Sequence, residues 1–159
     1  MASNKRLALV TGAAQGLGRA IAERLARDDI AVVIADIQEQ AARDTARELA
    51  DCGIEAIAMT VNVASESSVS NLYRDIDKRF GRLDILVNNA GVLGLDQAGN
   101  RPRVEDMSLE LWQQTLDVNL TGTFLASRGA IPLMRRGRWG RIVNIASRAA
   151  RMRTGIGNS

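Results

Sequence analysis

The sequence predicts an α/β protein built on a doubly wound parallel sheet. Three observations lead there. Short apolar runs alternate with amphipathic segments of helical period along the chain. Ala31–Ala35 is apolar throughout, the pattern of a strand covered on both faces. A glycine-rich turn joins the first apolar run to the first amphipathic segment.

Leu7–Val10 is the first strand. Gly16–Arg27 follows as a helix, with Leu17, Ile21 and Leu25 spaced along one side. Ala31–Ala35 is the second strand, and Gln38–Ala50 a helix with Ala42, Ala46 and Leu49 inward. Gly53, just past it, supplies the stop. Ile54–Val61 is the third strand. Ser65 is placed to cap a helix whose inner face is Val69, Leu72, Tyr73, Ile76 and Phe80, ended by Gly81. Leu83–Val87 is the fourth strand. An irregular stretch, 88–107, is long enough to carry function. Ser108 then caps one long helix running toward Met134, with Trp112, Leu116, Leu120 and Phe124 along one side. Pro132 should end or kink it. Arg141–Ala146 is the fifth strand, and 147–159 is polar, Gly-rich and unfinished. Right-handed crossovers between parallel strands then give an expected order of 3-2-1-4-5. The last strand lacks a covering helix, so the expectation is a single domain over 1–159, the N-terminal part of a longer one.

Composition narrows the chemistry. The chain of 159 residues has 46% apolar and 25% charged residues, the balance of a soluble domain. No apolar run reaches the roughly 18 residues a membrane span needs, and the polar N-terminus passes almost at once into a strand. These features, with a single cysteine, lead to the expectation of a cytoplasmic protein without a membrane partner. The absence of histidine removes Ser-His-Asp hydrolysis and His-based zinc sites, and one cysteine builds no thiolate cage, so no metal is expected. Charge is uneven, with eight arginines and no acid in residues 118–159. A nucleic-acid surface is one reading of that segment. With no accompanying nucleic-acid motif, the preferred reading is that the arginines have acidic partners in chain beyond this sequence, and no nucleic-acid partner is expected.

The turn Thr11-Gly12-Ala13-Ala14-Gln15-Gly16-Leu17-Gly18 places its glycines between a strand and a helix. Gly12 makes the turn, Gly16 lets backbone approach a ligand, and Gly18 lets the helix pack on the sheet. The helix N-terminus then offers free N–H groups to a pyrophosphate. The fold expected is therefore Rossmann-like and dinucleotide-binding. Asp36 ends the second strand, where a carboxylate accepts hydrogen bonds from ribose hydroxyls and repels a 2′-phosphate. It is also placed to cap the next helix. Ile37 follows where a basic residue would have helped to bind the phosphate, which favours NAD over NADP.

The spacing T-G-x-x-x-G-x-G resembles the cofactor turn of the short-chain dehydrogenase/reductase family. Four further stretches resemble that family in the same order: Asn62-Val63, Asn88-Asn89-Ala90-Gly91, Val118-Asn119-Leu120 and Ile142–Ser147. The resemblance implies that Gly12, Gln15, Gly16, Leu17, Gly18, Asp36, Asn62, Val63, Asn89, Ala90 and Gly91 bind the cofactor, with Asn62 beside adenine. It implies catalytic roles for Ser147, which would polarise the substrate oxygen, and Asn119, which would bend its helix and hold a relay water. It also implies an NAD(P)-dependent oxidoreductase, similar to 3-oxoacyl-thioester reductases, acting on a small-molecule carbonyl or secondary alcohol as a dimer or tetramer. The pattern breaks after Ser147. The family's tyrosine and lysine proton-transfer pair is missing, and the tyrosine present, Tyr73, reads as a core residue. The expectation is an active parent enzyme and an inactive 159-residue chain. The alternative is a non-catalytic dinucleotide-binding module.

Overall fold

The computed structural model describes residues 5–147. Five strands form one parallel sheet: β1 (Leu7–Thr11), β2 (Ala31–Asp36), β3 (Ala56–Thr60), β4 (Ile85–Asn88) and β5 (Arg141–Asn144). Their order is β3-β2-β1-β4-β5, as expected. The connecting helices are α1 (Gly16–Ala26), α2 (Glu39–Asp51), α3 (Glu66–Phe80), α4 (Leu109–Leu116) and α5 (Gly122–Arg136). The segment 148–159, including three of the eight C-terminal arginines, lies outside the described residues.

Alternation along the central strands divides the interior in two. Leu7 and Leu9 of β1 join Ala31, Val33 and Ala35 of β2 in a core closed by Leu72, Tyr73 and Ile76 of α3 and by Leu125, Ala126 and Leu133 of α5. Ala8 and Val10 join Val32 and Ile34 in a second core closed by Ala22 of α1 and by Ala42, Ala46 and Leu49 of α2. The period of two along a strand puts successive side chains on opposite faces, so a continuous apolar run feeds both cores. Tyr73 belongs to the first core. Its hydroxyl donates to the Ala126 carbonyl at 2.6 Å, and burial pushes its phenol well above the usual range.

The helix ends follow local chemistry. The Ser65 hydroxyl accepts the Ser68 N–H, and the Ser108 hydroxyl accepts the Leu111 N–H. Gly81 closes α3 in the left-handed conformation. Gln38, not Asp36, occupies the N-cap position of α2.

Several expectations need correction. The third strand is shorter than expected, Ala56–Thr60 instead of 54–61, and the fifth stops at Asn144 instead of 146. The long helix after Ser108 is interrupted by a π-helical segment, Asp117–Thr121, which separates α4 from α5. Pro132 lies inside α5, which runs on to Arg136. The side carrying Trp112, Leu120 and Phe124 faces outward, at 51%, 64% and 57% exposure, because α5 buries Leu125, Ala126, Ala130, Leu133 and Met134 instead. Leu17 is also exposed, and α1 packs through Gly18 and Ala22.

The arginines do not all await partners elsewhere. Arg128 pairs with Glu66 and Arg136 with Asp77, both acids on α3. The guanidinium groups of Arg6 and Arg141 lie 4.3 and 5.0 Å from the ring centre of Trp139. Among the described residues, no helix is long and apolar enough to cross a membrane.

Gly129 shows how closely α3 and α5 approach. A Cβ there would lie 2.2 Å from the Tyr73 ring. Gly129→Ala should therefore lower the free energy of unfolding by about 1–3 kcal/mol, read from denaturant midpoints. An unchanged midpoint would show that the ring has room to move.

Candidate functional site

The sheet order reverses between β1 and β4, which opens a crevice at the carboxyl ends of these neighbouring strands. Thr11 ends β1 there and organises both sides. Its Oγ1 accepts the N–H groups of Asn89 and Ala90, each at 3.1 Å, and donates to the Val87 carbonyl. The Asn89 Nδ2 reaches back to donate to the carbonyls of Thr11 and Gly12, at 2.9 and 3.0 Å. The glycine turn and the Asn-Asn-Ala-Gly segment are thus one hydrogen-bonded unit. Thr11 heads the glycine turn in the sequence but has no role assigned to it there, although its place at the strand end beside Gly12 is the signal.

The glycines in this unit have distinct duties. Gly12 has φ of +64°, and a Cβ on it would lie 2.8 Å from the Ala90 Cα. Gly18 is a packing glycine, since its Cβ would lie 2.3 Å from the Gly12 carbonyl oxygen. Gly16 has open space where its Cβ would be, at the exposed first turn of α1 together with Leu17.

A cavity of about 440 Å³ opens beside the turn. Gly12 and Gln15 line one end, and Asp36, Asn62, Val63, Asn89, Ala90 and Gly91 continue the wall. These are eight of the eleven positions assigned to the cofactor from the sequence. The lining residues not assigned to the cofactor from the sequence are Ile37, Gln38, Val61 and Val92, with Gln114 and Val118 from α4 and the π segment. Val118 stands in the Val118-Asn119-Leu120 stretch, whereas Gln114 carries no local motif and only the tertiary fold reveals it.

Asp36 is buried and held from two directions. One carboxylate oxygen accepts the Ala14 N–H and the other the Gln38 N–H, both at 3.0 Å. Each oxygen keeps further acceptor capacity toward the cavity. Ile37 beside it is 63% exposed. Asn62 is fixed by its own turn: its Oδ1 accepts the Ala64 N–H, its N–H donates to the Ser68 hydroxyl, and its carbonyl accepts the Ser65 N–H.

Asn119 stands in the π segment. Its Oδ1 accepts the Val92 N–H and its Nδ2 donates to the Val92 carbonyl, each at 2.9 Å. It therefore behaves as a bracket for the strand-like segment leaving Gly91. Its carbonyl accepts the Thr123 hydroxyl at 2.9 Å. Asn88, on the opposite face of β4 from Asn89, donates through Nδ2 to Ser127 Oγ and Asn144 Oδ1, at 3.0 and 2.8 Å. Its buried Oδ1 meets no donor among the described residues. Ser147 follows β5 and is exposed at this same edge. Asn119 and Ser147 thus reach the edge from different elements. Among the described residues, no group of three or more metal-ligating side chains is present.

A parallel sheet with a glycine turn, a strand-end carboxylate and a cavity at the switch point has the architecture of a doubly wound α/β domain. The chain belongs to the short chain dehydrogenase family, whose match spans residues 6–158. It is 41% identical over 143 residues to the 3-oxoacyl-acyl-carrier-protein reductase FabG of Aquifex aeolicus, covering 89% of this chain and 55% of that protein. It is 34% identical over 144 residues to glucose 1-dehydrogenase 2 of Bacillus subtilis, covering 89% of this chain and 54% of that protein. Among solved structures it resembles an actinorhodin polyketide ketoreductase variant with NADPH, at a TM-score of 0.88 and 34% identity. That match covers 98% of this chain and 58% of the other. The chain therefore spans about half the length of the curated relatives it matches.

Thr11→Val keeps the shape of the side chain and removes its hydroxyl, leaving the Asn89 and Ala90 N–H groups without their acceptor. The substitution should cost about 1–3 kcal/mol, while Thr11→Ser retains most of the stability. Equal melting temperatures for the three proteins would show that the clasp is not needed to hold the segment.

Proposed function

We propose that this chain is the dinucleotide-binding part of an NAD(P)-dependent oxidoreductase. The observation that carries the reading is the cavity running from Gly12 past Asp36 to Asn62, with its floor made by a turn that excludes a Cβ at Gly12. The residues fit the group. Free N–H groups at the start of α1 suit a pyrophosphate, the Asp36 carboxylate suits ribose hydroxyls, and the Asn62 amide suits a purine edge. When bound, a nicotinamide supplies a hydride donor or acceptor for a carbonyl or secondary alcohol. Ser147 would hydrogen-bond the substrate oxygen. Asn119 would hold the segment after Gly91 and, with its carbonyl, support a relay water. Gly16, Leu17, Val63, Asn89, Ala90 and Gly91 complete the proposed cofactor contacts, with Gly18 acting through packing.

NAD is the proposed cofactor over NADP. The Asp36 carboxylate, fixed by two N–H groups, would face a 2′-phosphate with like charge, and exposed Ile37 offers that phosphate no cation. The proposed substrate is a small carbonyl or alcohol compound. The outward apolar side of α4 and α5 supports a homo-oligomer for the whole protein. The 159 residues alone would bind without turnover. The chain's one tyrosine, Tyr73, is buried in the first core with its hydroxyl engaged, so it offers no proton at the crevice.

Calorimetric titration tests the reading. NAD should bind at least about tenfold more tightly than NADP, Gly12→Ala should abolish both, and Asp36→Asn should narrow the gap by relieving the repulsion. Tighter binding of NADP would remove the role given to Asp36. Hydride transfer to any carbonyl substrate by the isolated chain would remove the claim that it lacks its proton donor.

A further inference from the structure

The described arginines beyond residue 118 fall into two groups. Arg128 and Arg136 pair with acids of α3. Arg135, Arg138 and Arg141 are exposed and have no ion pair among the described residues. These three line one open pocket of about 520 Å³ where α5 ends and β5 begins. Its apolar lining comes from Ile131, Met134 and Ile142. Trp139 completes the wall, and the guanidinium groups of Arg6 and Arg141 both lie over its ring. A guanidinium held by a ring keeps its N–H groups for other partners. Arg141 gives one of them to the Gly140 carbonyl. The pocket lies at the amino ends of the strands, the edge of the sheet opposite the crevice at Gly12.

The backbone of this turn runs against local preference. Arg138 has φ of +53°, a conformation that glycine adopts freely and arginine does not. Gly137 beside it has φ of −76°, so the glycine of the pair stands where any residue would serve. The N–H groups of Arg138 and Trp139 close the turn on the carbonyls of Arg135 and Met134, at 3.1 and 3.2 Å. An arginine kept there, beside others that repel it, gains only from an anionic partner. We propose that this patch docks an acidic segment of a partner protein. One large apolar side chain enters between Ile131, Met134 and Ile142, and flanking carboxylates pair with Arg135, Arg138 and Arg141. Arginine forks match carboxylates with two N–H groups at a time, and tryptophan, methionine and arginine are the residues enriched at interface cores. A nucleic acid would meet the charge but leave the apolar lining unfilled. It would also find Trp139 already covered by guanidinium groups instead of free to stack on a base.

The test is calorimetric titration of the chain with a synthetic peptide that carries one leucine between two pairs of glutamates. Two control peptides replace the glutamates by glutamine or the leucine by serine. The first peptide should bind at least about tenfold more tightly than either control. Arg138→Gly should lower its affinity about tenfold without lowering the melting temperature, because glycine suits the turn and only the charge is lost. Arg101→Gln makes the same change of net charge on the exposed loop after β4 and should leave the affinity unchanged. Equal affinity for the three peptides, unchanged affinity in Arg138→Gly, or an equal loss in Arg101→Gln would overturn the proposal. So would tighter binding of a single-stranded oligonucleotide of equal charge. A longer form of the protein that fails to bind the peptide would also overturn it, since the patch would then be covered from within. The cofactor reading stands or falls separately, on the opposite edge of the sheet.

Discussion

The clasp between β1 and the segment after β4 is the constraint on which the rest of the site depends. One hydroxyl and one amide, Thr11 and Asn89, tie together two loops that are nearly eighty residues apart in the chain. The tie is possible only because Gly12 has no side chain where Ala90 lies against it. Once these loops are joined, the glycine turn at Gly12 and Gln15, the end of β2 and the 89–91 segment are walls of one cavity. Buried backbone groups need partners, and here those of the crevice are satisfied by the residues that shape it. The site is consequently as rigid as the sheet ends that carry it.

This explains what was legible in the sequence. Strands β1 and β2 feed both cores, so their apolar runs had no competing interpretation. Ser65, Ser108 and Gly81 act through hydrogen bonds to their own helix or through their own backbone angle, and local chemistry is readable locally. The glycine turn was readable because its spacing encodes a steric requirement. The long helix after Ser108 was not. Its apolar residues follow one continuous helical pattern, but the π segment around Asn119 resets the pitch, so the face defined by Trp112 and Phe124 is not the face that α5 buries. The acids that pair with Arg128 and Arg136 were equally hidden, since α3 lies roughly sixty positions away and only the packing of α5 on α3 brings them near. Gln114 had no motif at all; only the packing of α4 brings it to the cavity.

The two asparagines of β4's end divide the labour between the faces of the sheet. Asn89 turns toward the glycine loop, where it holds the carbonyls of Thr11 and Gly12. Asn88 turns toward α5 and β5, where it holds Asn144 and Ser127. Successive residues of a strand point to opposite faces, so a pair of neighbouring amides can serve two sites with one backbone. A single apolar replacement at either position would uncouple one face while leaving the other in place.

The same logic ranks the parts of the site by how firmly they are held. The wall of the cavity rests on β1, β2 and β4, whose side chains are almost entirely buried. The strand that leads to Ser147 is different: all four residues of β5 are exposed, and it is joined to the sheet along β4 alone. Backbone pairing fixes its register, and the Asn88–Asn144 amide pair pins its end, while Ile131, Met134 and Arg135 of α5 share a surface cavity with Arg141 and Ile142 at its start. The centre of the sheet is therefore held from both faces, whereas the end of β5 that leads to Ser147 is held through its pairing with β4.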